Sequence, residues 1–230
     1  MILVAGINGC KSDPTGPGGG GKNRVLFIGN SYLYTMDIPS VVQAMAAHRN
    51  QDFTAVMVAG PNMALYDHLS SGGAVTSIAE GGWTYIVLQQ GPSSVSYNRD
   101  SLRMAAAIYN NMASQVNAKV ALFSAWPQVP HRADFPRAIE SYRLAALDIN
   151  GVFLPVASAW LKAWELDPSI NLYSDELHPN ENGAYLSALV VYATILGQNP
   201  VGMPSSIGGL HIDEGTAAIL QIAAARVSGH

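Results

Sequence analysis

Three side chains at opposite ends of this 230-residue chain could together perform acyl transfer. The first is Ser31, in the turn Gly29-Asn30-Ser31-Tyr32 that directly follows the apolar run Val25-Leu26-Phe27-Ile28. A hydroxyl presented at the end of a strand can serve as a nucleophile, and the same residue can equally be a helix cap or turn former. The other two lie in Asp175-Glu176-Leu177-His178-Pro179-Asn180. A spacing of three lets a local turn bring the Asp175 carboxylate to one imidazole nitrogen of His178 and leaves the other nitrogen free to take a proton. Alone, that hexapeptide also reads as a surface turn and helix entry, with Pro179 fixing the chain direction. Together the two stretches supply a nucleophile, a general base and a carboxylate to orient it.

The elements that must bring them together follow an alternating pattern. Short β-branched runs predict strands over Arg24–Ile28, Thr54–Val58, Tyr85–Gln89, Lys119–Ser124 and Val152–Pro155. Apolar residues at helical spacing predict helices over Pro39–His48, Ala64–Ser70, Ser101–Val116, Phe135–Asn150, Ser158–Glu165, Asn182–Leu196 and Glu214–Arg226. Alternation of this kind implies a five-stranded, mostly parallel sheet between helices, a three-layer α/β/α domain of the flavodoxin-like type spanning residues 22–230. Ligands of such sheets sit at the carboxyl ends of the strands, which is where both stretches fall.

At this point the sequence resembles the SGNH (GDSL-like) hydrolase superfamily. Val25-Leu26-Phe27-Ile28-Gly29-Asn30-Ser31 resembles the first sequence block of those enzymes, and Asp175-x-x-His178-Pro179-Asn180 resembles the last, continued by Gly183-Ala184-Tyr185-Leu186-Ser187-Ala188. The resemblance runs from Arg24 to about Gly197 and implies a serine esterase with Ser31, His178 and Asp175 as catalytic triad, needing no cofactor or metal. It further implies an oxyanion hole from the backbone N–H groups of Ser31 and Gly60, completed by a side-chain amide. The family's third block supplies an asparagine for that last role. Here the matching stretch is Val87-Leu88-Gln89-Gln90-Gly91-Pro92, so Gln90 is the first candidate and Gln89 the second, with hydrogen bonding inside the core or loop as the alternative for each. The implied substrate is a small-molecule or glycan ester from which a short acyl group such as acetate is removed. A lipase or thioesterase for longer chains, or a catalytically weak carbohydrate-binding module of the same fold, are the competing readings.

Other hydrolase and nucleotide-binding patterns fit less well. The chain order Ser, Asp, His also suits α/β-hydrolases, but their G-x-S-x-G elbow is missing, and Gly91-Pro92-Ser93-Ser94-Val95 lacks its final glycine. Gly16, Gly18 and Gly21 satisfy a dinucleotide pattern, and Gly16 through Lys22 nearly satisfy a phosphate loop, yet the run precedes the first strand instead of joining a strand to a helix. Around the expected pocket, Tyr32 could form a wall, Trp126 in the loop after the fourth strand could stack on a sugar, and Arg132 could meet a carboxylate. Ordinary loop packing is the alternative for these. Trp160 and Trp164 stand four apart on one helical face and are expected in the core.

Composition narrows the partners. With 49% hydrophobic and 12% charged residues the chain can bury one large core, and a net charge of −4 with scattered basic residues gives nucleic acid nothing to hold. Cys10 is the single cysteine, and no histidine pair has metal-ligand spacing. No apolar stretch reaches the length needed to span a bilayer. Residues 1–10, an apolar run ending in Gly9-Cys10, resemble a bacterial lipoprotein signal that lacks its basic start, as if truncated, and 11–21 form a Gly/Pro-rich linker. These features predict an exported protein, lipid-anchored through Cys10 at the bacterial cell envelope, or otherwise periplasmic or secreted.

Overall fold

The first strand is the hinge of the architecture. In the computed structural model, which describes residues 23–230, β1 (Asn23–Gly29) buries Val25, Leu26, Phe27 and Ile28 completely. A strand that is apolar on both faces can only sit in the interior of a covered sheet. It lies between β2 (Phe53–Ala59) and β3 (Tyr85–Leu88), followed outward by β4 (Lys119–Phe123) and β5 (Val152–Leu154). The order is β2-β1-β3-β4-β5 and every pairing is parallel. The chain therefore leaves β1 toward one edge, returns across it to β3 and proceeds to the other edge. The crevice between β1 and β3, where the winding reverses, is the place such sheets bind ligands.

Nine α-helices occur among the described residues: α1 (Ser31–Tyr34), α2 (Ile38–His48), α3 (Leu65–Ser71), α4 (Gly73–Ala79), α5 (Ser96–Gln115), α6 (Phe135–Asp148), α7 (Val156–Leu166), α8 (Glu181–Leu196) and α9 (Glu214–Ser228), with a 3-10 turn over Val129–Asp134 before α6. Together with the five-stranded sheet they make the three-layer α/β/α fold. α3, α4 and α5 pack on one another, and α8 packs against α2, α7 and α9. α8 buries most of its surface, as an all-round apolar helix must. Its start is fixed by Asn180, whose side chain accepts the Gly183 N–H at 3.0 Å. A Cβ on Gly183 would come within 2.3 Å of the Leu172 carbonyl oxygen, so this first turn lies directly on the chain leading into Asp175. A short hairpin, β6 (Ser206–Ile207) with β7 (Leu210–His211), precedes α9.

The expected strands all form, within one or two residues of their predicted ends. Three elements escape the sequence reading. α1 is a single turn, α4 begins at a glycine and carries β-branched Val75 and Thr76, and the hairpin strands are two residues each. α5 also starts at Ser96, five residues before the predicted Ser101. Both the signal-like segment ending at Cys10 and the 11–21 linker lie outside the described residues.

Candidate active site

The site begins where β1 ends. Gly29 has no room for a side chain: a Cβ there would lie 2.3 Å from Gln89 Oε1 and 2.7 Å from Leu33 Cδ1. The chain therefore passes tightly over β3 into Asn30, whose extended backbone and side-chain oxygen cap α1 by accepting the Tyr32 N–H at 3.2 Å. Ser31 is thus the first residue of α1, and an N–H at that position has no acceptor within its own helix.

The Asp175–His178 loop approaches from the far end of the chain. A bridge between Tyr173 and Pro179 closes its base, and the His178 carbonyl accepts the Ser174 N–H at 2.9 Å. Two further bonds tie it to the segment after β4: Trp126 Nε1–H donates to Leu177 O at 3.0 Å, and Val129 N–H donates to Glu176 O at 2.9 Å. Held this way, His178 Nε2 stands 2.9 Å from Ser31 Oγ, and His178 Nδ1 stands 2.8 Å from Asp175 Oδ2. The other oxygen, Asp175 Oδ1, accepts the backbone N–H groups of Leu177 and His178, each at 2.6 Å. The His178 side-chain bond, then these two backbone bonds, lower the Asp175 pKa to about 2. The carboxylate side chain is 55% exposed and that of His178 26%. Across 147 residues of sequence, the fold joins serine, histidine and aspartate in one hydrogen-bonded line. Such a line can take a proton from a serine as it attacks a carbonyl.

The residues expected around the oxyanion are all nearby but differently engaged. Gln89 is fully buried; its Oε1 accepts the Asn30 N–H at 2.9 Å, and its Nε2 donates to Asn30 Oδ1 at 3.1 Å and to Gln90 O at 2.6 Å. Both amide protons are used, so Gln89 braces the turn before Ser31 and has none left for an oxyanion. This corrects its assignment as a donor. Gln90 accepts the Leu65 N–H at 3.3 Å through Oε1 and donates through Nε2 to Ser93 Oγ at 2.9 Å, with Asn98 O at 3.5 Å. Gly60 N–H points at Gly29 O across 3.3 Å, longer than a good N–H···O bond.

His68, on α3, was not singled out by the sequence. It is buried, with Nε2 2.7 Å from that same Gly29 carbonyl, which can only accept, so Nε2 carries the proton. Its sequence distance from Ser31 and the lack of a motif partner left no signal to find it.

Two pocket residues need correction. Trp126 is completely buried and stacks on Trp160, ring centroids 4.0 Å apart, so it offers no face to a sugar. The strong hydrophobic drive of a flat indole pulls it from the rim into the core, where its N–H anchors the histidine loop. Tyr32 is 4% exposed, packs 5.0 Å from the Trp126 ring and has no partner for its hydroxyl. Burial pushes its pKa up, and it supports the site from the core side and is not an open wall. Arg132 lies over Trp164 at 4.3 Å in a cation–π contact. Trp160 is in the core as expected, and Trp164 packs against it edge-on.

A parallel α/β/α sheet with a serine turn on its first strand and an Asp-x-x-His loop before α8 has the fold of the SGNH hydrolases. No protein-family model and no curated protein matches the sequence. Among solved structures, the chain is similar to a candidate SGNH hydrolase from Slackia heliotrinireducens, 22% identical with a TM-score of 0.64, covering 76% of this chain and all of that one. A DUF4886 family protein from Bacteroides uniformis aligns at a TM-score of 0.74 and 16% identity, over 91% of this chain and 96% of that one. An acetyl xylan esterase aligns at 0.57 and 16%, over 75% and 99% respectively. At these identities the likeness establishes the fold. No helix among the described residues is long and apolar enough to cross a membrane.

Proposed function

We propose that the chain is a serine-dependent carboxylic ester hydrolase acting through an acyl-enzyme, with short acyl groups such as acetate on a carbohydrate or similar polar alcohol as its substrates. The observation that carries the reading is the unbroken line from Ser31 Oγ through His178 to Asp175. In the reaction, His178 Nε2 takes the Ser31 proton as Oγ forms a bond to the ester carbonyl carbon. Asp175 holds the proton on Nδ1 and stabilises the imidazolium. The tetrahedral intermediate collapses by breaking the bond to the leaving alkoxide, which receives the proton from His178. Water, deprotonated by the same imidazole, then releases the acid and restores Ser31.

For the oxyanion we assign the N–H groups of Ser31 and Gly60, with the Gln90 amide as third donor. Because His68 already satisfies the Gly29 carbonyl at 2.7 Å, the long Gly60 bond to it can be given up at little cost. Gln90 in turn need surrender only its 3.5 Å approach to Asn98 O. The acetyl xylan esterase among the similar folds supports a short acyl group on a sugar. The order of apolar run, Gly9 and Cys10 supports a lipid-anchored protein of the bacterial envelope as its setting.

Hydrolysis of p-nitrophenyl acetate by wild type and Ser31→Ala tests the reading. Loss of about 10³-fold or more in kcat is expected, since triad members act as a unit. Equal rates in both proteins would refute Ser31 as the nucleophile. Activity rising with p-nitrophenyl chain length beyond butyrate would remove the short-acyl assignment.

A further inference from the structure

A cleft of about 430 Å³ is lined in part by Gln90, the third oxyanion donor of the mechanism above, and otherwise by residues that mechanism does not use. From it we infer a binding site for an uncharged sugar ring, the alcohol portion of the ester; the inference rests on the esterase reading for that role. One wall is the start of α3, with Ala64 and Tyr66. The other is the strip after β3 and the start of α5, with Gln90, Ser93, Tyr97, Asn98 and Ser101. Each wall adjoins, along the chain, a residue bonded to Asn30, which precedes the nucleophile: Met63 before Ala64, and Gln89 before Gln90. Asn30 Nδ2 donates to Met63 O at 3.0 Å on the first side, and Asn30 N–H donates to Gln89 Oε1 at 2.9 Å on the second. The cleft is thereby linked to the Ser31 turn through backbone neighbours on both sides.

The lining specifies the ligand. It carries no Asp, Glu, Lys, Arg or His, so a charged ligand would leave its water without gaining a counter-charge. The Asn98 amide and the hydroxyls of Ser101, Tyr66 and Tyr97 provide both donors and acceptors, the complement of a ring of hydroxyls. Tyr97 is 82% exposed and lines the cleft, so it offers an aromatic face on which the apolar face of a pyranose can stack. The volume falls within the roughly 300–1,000 Å³ of small-molecule sites.

The wall is also built in advance of any ligand. Gln90 is tied to Leu65 across the cleft, Ser141 Oγ–H donates to Ser93 O at 2.7 Å, and the Tyr142 hydroxyl lies 2.7 Å from Gln90 O and 3.0 Å from Gly91 O. Ser93 is held at φ +55°, a left-handed conformation that non-glycine residues adopt at a cost and that recurs at ligand clamps.

The test measures binding to the full chain carrying Ser31→Ala, by saturation-transfer NMR and calorimetry. The probes are xylotetraose and cellotetraose, with octanoate and tetragalacturonate as the acyl and charged alternatives. We expect at least one neutral probe to bind and a further Tyr97→Ala substitution to weaken it roughly fivefold, the order of one lost aromatic face. Tyr97 is exposed, and circular dichroism of each variant checks the fold. No binding of either neutral probe up to about 20 mM, binding indifferent to Tyr97, or tighter binding of octanoate or tetragalacturonate would each overturn the inference. Hydrolysis of p-nitrophenyl acetate by wild type is scored separately. An inactive protein that binds a neutral sugar through Tyr97 would end the esterase reading and keep the site, and an active one that binds none would end the site alone.

Discussion

Replacing Asp175 with asparagine separates the orienting role of this carboxylate from its role in holding the loop. The new Oδ1 can still accept the Leu177 and His178 N–H groups that lie 2.6 Å from the present oxygen, so the turn should survive. The amide nitrogen, however, would face His178 Nδ1 where Oδ2 now stands at 2.8 Å, and it presents a proton where one was accepted. The imidazole must then carry its proton on Nε2, facing Ser31, and can no longer take one from it. The size of the effect depends on solvent. A buried triad carboxylate is worth about 10⁴ in kcat by this substitution. Here the Asp175 side chain is 55% exposed, and its attraction for the imidazolium at about 4 Å lies between about 1 kcal/mol in water and about 4 kcal/mol at an effective dielectric of 20. With the tautomer fault added to that loss, we expect a fall in kcat for p-nitrophenyl acetate of about 10–10³-fold, below the buried case, with KM little changed. Melting temperature at neutral pH controls for folding. A folded variant that keeps more than a tenth of wild-type kcat would show that Asp175 does not orient His178.

Stability against pH gives a second reading of the same carboxylate. Its folded pKa, about 2, lies below the ordinary 3.8, so ionised Asp175 stabilises the fold above about pH 4 and the contribution fades as pH falls toward 2. Wild type should therefore melt higher than Asp175→Asn at pH 6, with the gap closing by pH 2, and a gap independent of pH would contradict the bonding described. Gly183→Ala forces a Cβ to within 2.3 Å of Leu172 O and 2.9 Å of Trp160 Cζ2. It should cost about 1–3 kcal/mol in urea unfolding and lower kcat by moving the loop, and an unchanged unfolding midpoint would sink this account. Trp126→Phe deletes the donor to Leu177 O. It should lower stability by about 1–3 kcal/mol and reduce turnover of an acetylated sugar and of p-nitrophenyl acetate by the same factor; a KM increase confined to the sugar would restore Trp126 to the binding surface.

The layers of the fold were legible because burial imposes period on sequence. A strand covered on both faces reads as Val-Leu-Phe-Ile, and α8 reads as a long apolar helix behind an asparagine cap. Asp175 and His178 were legible because three residues of chain already confine their geometry, and Ser31 because it ends the most apolar strand. What could not be read was which way side chains turn once several elements converge. Trp126 carries the same residue type in a rim or a core, and only the Trp160 ring four residues into α7, together with the Leu177 carbonyl, decides for the core.

The paired glutamines show the same limit in the polar part of the site. Adjacent residues leaving a strand point to opposite sides, so one amide must turn back toward β1 and the other toward α3. The close passage of Gly29 over Gln89 gives the first its partners in Asn30, and the start of α3 gives the second its partner in Leu65. Which glutamine braces the turn and which remains with the weakest bond is therefore settled by β1, β3 and α3 meeting, not by the pair itself. The weakest of those bonds, the 3.5 Å approach of Gln90 Nε2 to Asn98 O, joins two residues of the Tyr97 cleft wall. A sugar hydroxyl donating to Asn98 O would replace that approach and leave the 2.9 Å bond to Ser93 Oγ, so occupying the cleft would release the one Gln90 proton assigned to the oxyanion.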